Sequence, residues 1–320
     1  MIHSQVDTKI WDDEVALLTD QLHLDKVWSI MKPIVAEYVD GYLEGVSHYL
    51  DKPTVEESYS AFLKELIQRN DKQHDKYHEL FDMESMEEYA LDVEGFKSII
   101  LKKECDVIRA TLQSKTEALN EWKSKFYGSK SQQLYDTFYN MMSFAIDYND
   151  DMDEDAMEVL DKIEDCAISE MEEDACYKSG VLGFGIVSNI LNHMYPRVFP
   201  GNYKAGIYSL LFLTGTKMKG IDMPSGTSEF CMVKDDFYSK TGTIETEHNY
   251  YFPYETFAIY TIRIYRTLVE KISAKFKMQY PSEYRFLITN DFYEYVTSQH
   301  RAEITTMTGN DDMLKFNTLW

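Results

Sequence analysis

Between Thr54 and Phe126 the chain contains one glycine, Gly95, and no proline, so nothing in that span forces the backbone out of a helix. Phe62 and Leu66, and then Phe96, Ile99, Ile100, Val107 and Leu112, recur three or four apart or at multiples of a helical turn, which predicts long helices with these residues on the buried stripe. Asp51-Lys52-Pro53-Thr54 followed by Glu56 and Glu57 reads as a helix start, because acidic side chains in the first turn favour the helix dipole. Only 14 glycines and 7 prolines occur among 320 residues, too few for a sandwich built on tight turns and ordinary for a mainly α protein.

Beyond Phe126, Gly128-Ser129-Lys130-Ser131 predicts a break between helices, after which Leu134, Phe138, Met141, Met142 and Ala145 form a further stripe. Asp147 to Asp174 holds 14 Asp/Glu and one Lys, yet Ala156, Leu160, Ile163, Ala167 and Met171 keep helical spacing. An amphipathic helix with an acidic outer face is expected from about Asp155. Tyr177 to Gly180 reads as a hinge. Two short helices follow, about Gly185 to Met194 and about Tyr203 to Leu213, stopped by Tyr195-Pro196 and Thr214-Gly215. Glu229 to Val233 and Thr243 to Tyr251 suit strands or ordered loop, and Tyr254 to Lys277 suits a helix burying Phe257, Tyr260, Ile264, Leu268 and Ile272. The expected fold is mainly α, a two-part helical protein with a small β or irregular insertion near 226–252.

Charge divides the chain. Residues 1–175 carry 17 Lys/Arg against 41 Asp/Glu, a net of −24, whereas residues 176–320 carry 15 against 14. The break predicts an acidic helical domain over 1–177 and a near-neutral helical domain over 178–320. A net charge of −23 disfavours bulk attraction to nucleic acid or anionic membrane, although a local basic patch still works beyond a screening length of about 8 Å. The start of the chain lacks the basic and apolar regions of a signal peptide, and no run of about 18 apolar residues occurs, so a cytoplasmic protein without a membrane span is expected. Cys105, Cys166, Cys176 and Cys231 lie far apart and read as reduced core thiols.

Several patterns invite a chemical reading. Asp147-x-Asn149-x-Asp151-x-Asp153-x-Asp155-x-x-Glu158 places oxygen ligands as a calcium loop does, but Met152 stands where the loop needs glycine and Glu154 where it needs an apolar residue. A solvated helix-capping loop is the expectation. His74 and His78 share a helical face without a third ligand, so no metal and no other cofactor is expected. Ser188 and His193, five apart on one helix, point to different sides. There is no phosphate-cradling glycine loop and no nuclease spacing, since Cys231 stands where a lysine would follow Glu229. No catalytic residue is assigned.

Arg263, Arg266 and Lys277 fall on one face of the Tyr254 to Lys277 helix, with Lys271 and Lys275 beside it. Together with Lys204 they form the candidate nucleic-acid contact, touching phosphates while Tyr260 and Tyr265 offer stacking. The same stripe suits docking onto the acidic half of the chain, which the charge break favours.

Gly183-Phe184-Gly185 through Ser188, Ile190-Leu191, Pro196, Phe199 and Asn202-Tyr203 resembles a helical module that accompanies McrB-type modification-dependent restriction ATPases and other prokaryotic defence proteins. The likeness spans residues 180–214. It implies a restriction or antiphage setting without ATPase activity, because the nucleotide motifs are missing. Elementary packing gives the same residues a helical hairpin in which Gly206 permits close approach. The expected role is a non-enzymatic interaction or regulatory component with a protein partner. The alternatives are a nucleic-acid-binding protein using the basic helix and an acidic decoy that mimics DNA.

Overall fold

The computed structural model describes residues 8–115, 119–173, 175–215, 228–233, 246–249 and 251–308. After α1 (Thr8–Leu18), the Asp20 carboxylate accepts hydrogen bonds from the backbone N–H groups of Leu22 and His23 and starts α2 (Gln21–Ser47). Leu24, Val27, Met31, Val35, Val39, Leu43 and Val46 recur every three or four residues along α2 and are all buried. Thr54 caps α3 (Val55–Phe81) by accepting from Glu57 N at 3.1 Å, as the acidic start of that segment predicts. α4 (Met83–Tyr89) and the single turn α5 (Val93–Gly95) lead into a π-helix, Phe96–Glu104.

The π-helix changes which residues are buried. Its i→i+5 hydrogen bonds, exemplified by Cys105 N to Ile100 O at 2.8 Å, make residues five apart share a face. Phe96 and Leu101 therefore face the core, and Ile99, which α-helical spacing places on the stripe, is exposed. α6 (Asp106–Gln113), α7 (Asn120–Gly128) and α8 (Ser131–Asp151) follow, with the expected break at Gly128 to Ser131.

The acidic segment departs from its sequence reading. Instead of one helix from Asp155 it forms α9 (Glu154–Val159), a 3-10 turn (Ile163–Asp165) and α10 (Glu170–Glu173), with Ala167 at φ 53° between the last two. Tertiary hydrogen bonds at the Glu158, Leu160 and Asp161 carbonyls compete with continuation of the helix.

α11 (Phe184–Met194) and α12 (Lys204–Leu213) form the expected hairpin. α13 (Tyr254–Phe276) and α14 (Arg285–Gln299) complete the interior, and α15 (Arg301–Thr308) follows. A Cβ on Gly206 would lie 2.8 Å from the buried Phe257 ring, so α12 approaches α13 as closely as only glycine allows. Within the insertion, β1 (Cys231–Val233) and β2 (Thr246–His248) pair antiparallel, Cys231 opposite His248. The fold is mainly α.

The charge boundary at 177/178 is not a boundary in the packing. α2 lies along α13, α3 packs on α11 and on α14, and one hydrophobic cluster runs from Leu18 to Ile304. The expected hinge is a tight turn: Lys178 and Leu182 pair across Gly180, at φ 71°, while the Trp122 indole N–H donates to Val181 O at 2.7 Å. Apolar stripes on helices of both halves meet one another, which ties the two expected domains into a common interior.

Candidate functional site

Four arginines of the second half grip the acidic segment of the first in order along it. Arg197 donates to the Asn149 and Met152 carbonyls at the end of α8. Arg285, buried beside Tyr265, donates to Glu154 Oε1 at 2.7 Å and to Arg197 O. Arg266 reaches the Glu158 and Leu160 carbonyls and Asp161 Oδ1. Arg263, only 7% exposed, binds Asp161 through Nε at 2.9 Å and Asp25 of α2 through its terminal nitrogen at 2.7 Å, with the Trp28 ring beside it. Asp161 and Asp25 raise the Arg263 pKa against the opposing effect of burial. Lys271 pairs with Asp40 at 2.5 Å and Lys275 with Glu44 at 2.7 Å. These pairs ascend together along α2 and α13, so the two helices run in the same sense.

The four residues of the candidate nucleic-acid contact lie in separate settings. Arg263 and Arg266 meet at Asp161, the first buried and the second about a third exposed. Lys277 takes the left-handed conformation that ends α13, and its ammonium folds back onto Ala274 O at 2.7 Å. Lys204 opens a different helix, α12. The four are not gathered on one phosphate-facing surface; the stripe docks onto the acidic half, as the charge break favours.

The metal-like patterns also resolve into local structure. Asp147 to Asp151 closes α8, and Asp153 caps α9 by accepting from Ala156 N at 2.9 Å. His74 Nδ1–H donates to His193 O at 3.0 Å, while His78 lies beside Asp82. Among the described residues no group of three metal-ligating side chains occurs. Ser188 accepts from Asn202 N, and His193 stacks on Tyr77 at 5.4 Å, so those two residues serve separate contacts. Burial pushes the His193 pKa down to about 4.

No protein-family model, curated protein or solved structure matches the chain.

Two constellations escape sequence reasoning because their members lie more than 200 residues apart. His23 and Glu229 form a buried pair at 2.5 Å, joining α2 to the insertion. Burial raises the Glu229 carboxyl above the usual range, against the opposing effect of the His23 hydrogen bond. Asn249 holds the Glu229 carbonyl, while Glu229 Oε1 and the buried Tyr260 hydroxyl have no hydrogen-bond partner among the described residues. The second constellation lines a cavity of about 610 Å³ that Ile34, Phe212 and Met307 also border. There Tyr38 Oη lies 2.5 Å from His300 Nε2, His300 Nδ1 lies 2.6 Å from Glu303 Oε2, and Phe212 stacks on the imidazole at 3.8 Å. A carboxylate only accepts, so a neutral His300 carries its proton on Nδ1 and accepts from Tyr38. This row orients a hydroxyl but supplies no activated nucleophile: burial, then Glu303, hold Tyr38 above its ordinary pKa.

Proposed function

We propose that the protein is a non-enzymatic interaction or regulatory component that docks a basic protein partner through its acidic exterior. The contrasting fate of its charges carries this reading. Arg197, Arg263, Arg266 and Arg285 of the second half are engaged with the chain's own acidic segment, whereas Asp147, Asp150, Asp151 and Asp155 stand exposed without an ion pair among the described residues. Asp150 and Asp151 close α8, where the helix dipole opposes negative charge. Burial further supports a non-enzymatic role, because it pushes the Cys105, Cys166 and Cys231 thiols up to about 12 and leaves them inert.

The restriction or antiphage setting rests on the resemblance of residues 180–214 alone, and the cytoplasmic placement belongs to the same proposal. Among the described residues no helix is long and apolar enough to cross a membrane. A DNA-mimicking decoy is the narrower form of the same reading, in which the exposed carboxylates displace nucleic acid from the basic partner.

Capture from a native lysate on the immobilised full chain tests the proposal. A partner held at 50 mM salt should be released as salt rises, and replacing Asp147, Asp150, Asp151 and Asp155 by Asn should remove it. Capture indifferent to both salt and substitution sinks the reading. Competition by DNA for the captured partner distinguishes the decoy form.

A further inference from the structure

Within the acidic half lies a basic island. Residues 97–130 carry eight Lys/Arg against four Asp/Glu, and seven of the eight are lysines. The exception, Arg109, is tied to Asp106 and to Lys103 O. The π-helix that buries Phe96 and Leu101 also brings Lys97 and Lys102 to a shared face, where an α-helix would turn them well apart. Lys97 Nζ donates to Tyr127 O at 2.9 Å and Ser129 O at 2.5 Å, closing the end of α7, and the Lys102 ammonium lies 5.0 Å from the centre of the Tyr127 ring. Lys130 follows immediately, exposed and without an ion pair among the described residues. Tyr127 itself is 54% exposed.

From this juxtaposition of lysines around an exposed aromatic ring we infer a binding surface for a short single-stranded nucleic acid, centred on Lys97, Lys102, Tyr127 and Lys130. Lysine is depleted at protein interfaces, where arginine is preferred, but serves phosphate as a hydrated point charge. A tyrosine among such charges accepts a base on its face. The strand must be short and flexible: beyond a screening length of about 8 Å at physiological salt, a rigid duplex would run on over the surrounding carboxylates. This surface is separate from the acidic face proposed to bind a protein, so either proposal can fail without the other.

Fluorescence anisotropy of labelled ten-nucleotide dT and rU strands on the full chain tests the inference. Binding at 50 mM salt should weaken with a logarithmic salt slope of about −2, near 0.7 for each of three phosphates engaged. Lys102→Ala with Lys130→Ala should make the slope shallower, to about −0.7, and Tyr127→Ala should cost about tenfold while leaving the slope unchanged. Lys277→Ala, outside the island, should change nothing. Circular dichroism must report the native helix content for each variant. Absence of binding by both strands overturns the inference, as does binding insensitive to the Lys102 and Lys130 changes. A ten-residue poly-glutamate or a ten-base-pair duplex bound as tightly as the single strands overturns it too.

Discussion

His193 concentrates the residue-scale physics of the chain. Stacked on Tyr77 and beside Asn70, it is held neutral, its pKa pushed down to about 4 by burial. Unfolding returns it to about 6.5, so between these values the unfolded chain binds the proton that the folded chain refuses. Stability contributed by this residue is complete above about pH 6.5 and declines as pH falls toward 4, by up to about 3 kcal/mol. Urea midpoints at pH 7.5 and pH 5 should differ less in His193→Gln than in the parent chain. Arg263 makes a complementary prediction. Arg263→Met removes a buried guanidinium but leaves Asp25 and Asp161 roughly half exposed, free to rehydrate. The loss should be about 1–3 kcal/mol in urea denaturation, below the 3–5 kcal/mol of a pair broken deep in a core. Neither environment is legible in the sequence, which gives a histidine and an arginine no sign of the Tyr77 ring or of Asp161 about a hundred residues away.

At the scale of the element, helices whose interactions are local were legible. The hairpin of α11 and α12, the span of α13 and the cap at Thr54 follow from apolar spacing, prolines and capping side chains near them in the chain. The acidic segment was misread because its apolar spacing is helical while its carbonyls are claimed by Arg263 and Arg266 of a distant helix. The π-helix was misread for a different reason: its extra residue per turn shifts Phe96 and Leu101 into register while spacing alone favours Ile99 and Ile100. Two substitutions probe this level. Asp150→Asn should stabilise α8 by about 0.3–1 kcal/mol by removing a charge opposed to the dipole, read as a higher urea midpoint. Gly206→Ala should cost about 1–3 kcal/mol despite alanine's better helix propensity, since its methyl group would collide with Phe257, which the packed core cannot release.

For the whole molecule, charge and packing partition the chain differently. Electrostatics separates 1–177 from 178–320, but the apolar faces of α2 and α13 meet across that line and join the two in a common core. A fragment of residues 178–320 should therefore lack a cooperative urea transition, whereas circular dichroism and tryptophan fluorescence of the full chain should report coincident transitions. Attraction between the halves was legible from composition; the sharing of an interior was not, because similar stripes would serve two separate cores equally well. The candidate sites divide likewise. Arg263 and Arg266 stood out as basic residues and clasp Asp161 of the chain's own acidic segment, while Tyr38 and His300 met only through folding.

The parallel pairing of α2 with α13 bears on how the chain is made. On a ribosome adding about 5–20 residues per second, α2 emerges roughly 10–50 seconds before its partner helix. During that interval Leu24, Val27, Met31 and Val35 have no α13 to cover them, and contacts of such long sequence separation make folding slow. Through most of its own synthesis the nascent chain thus lacks the helix that seals this oily ridge.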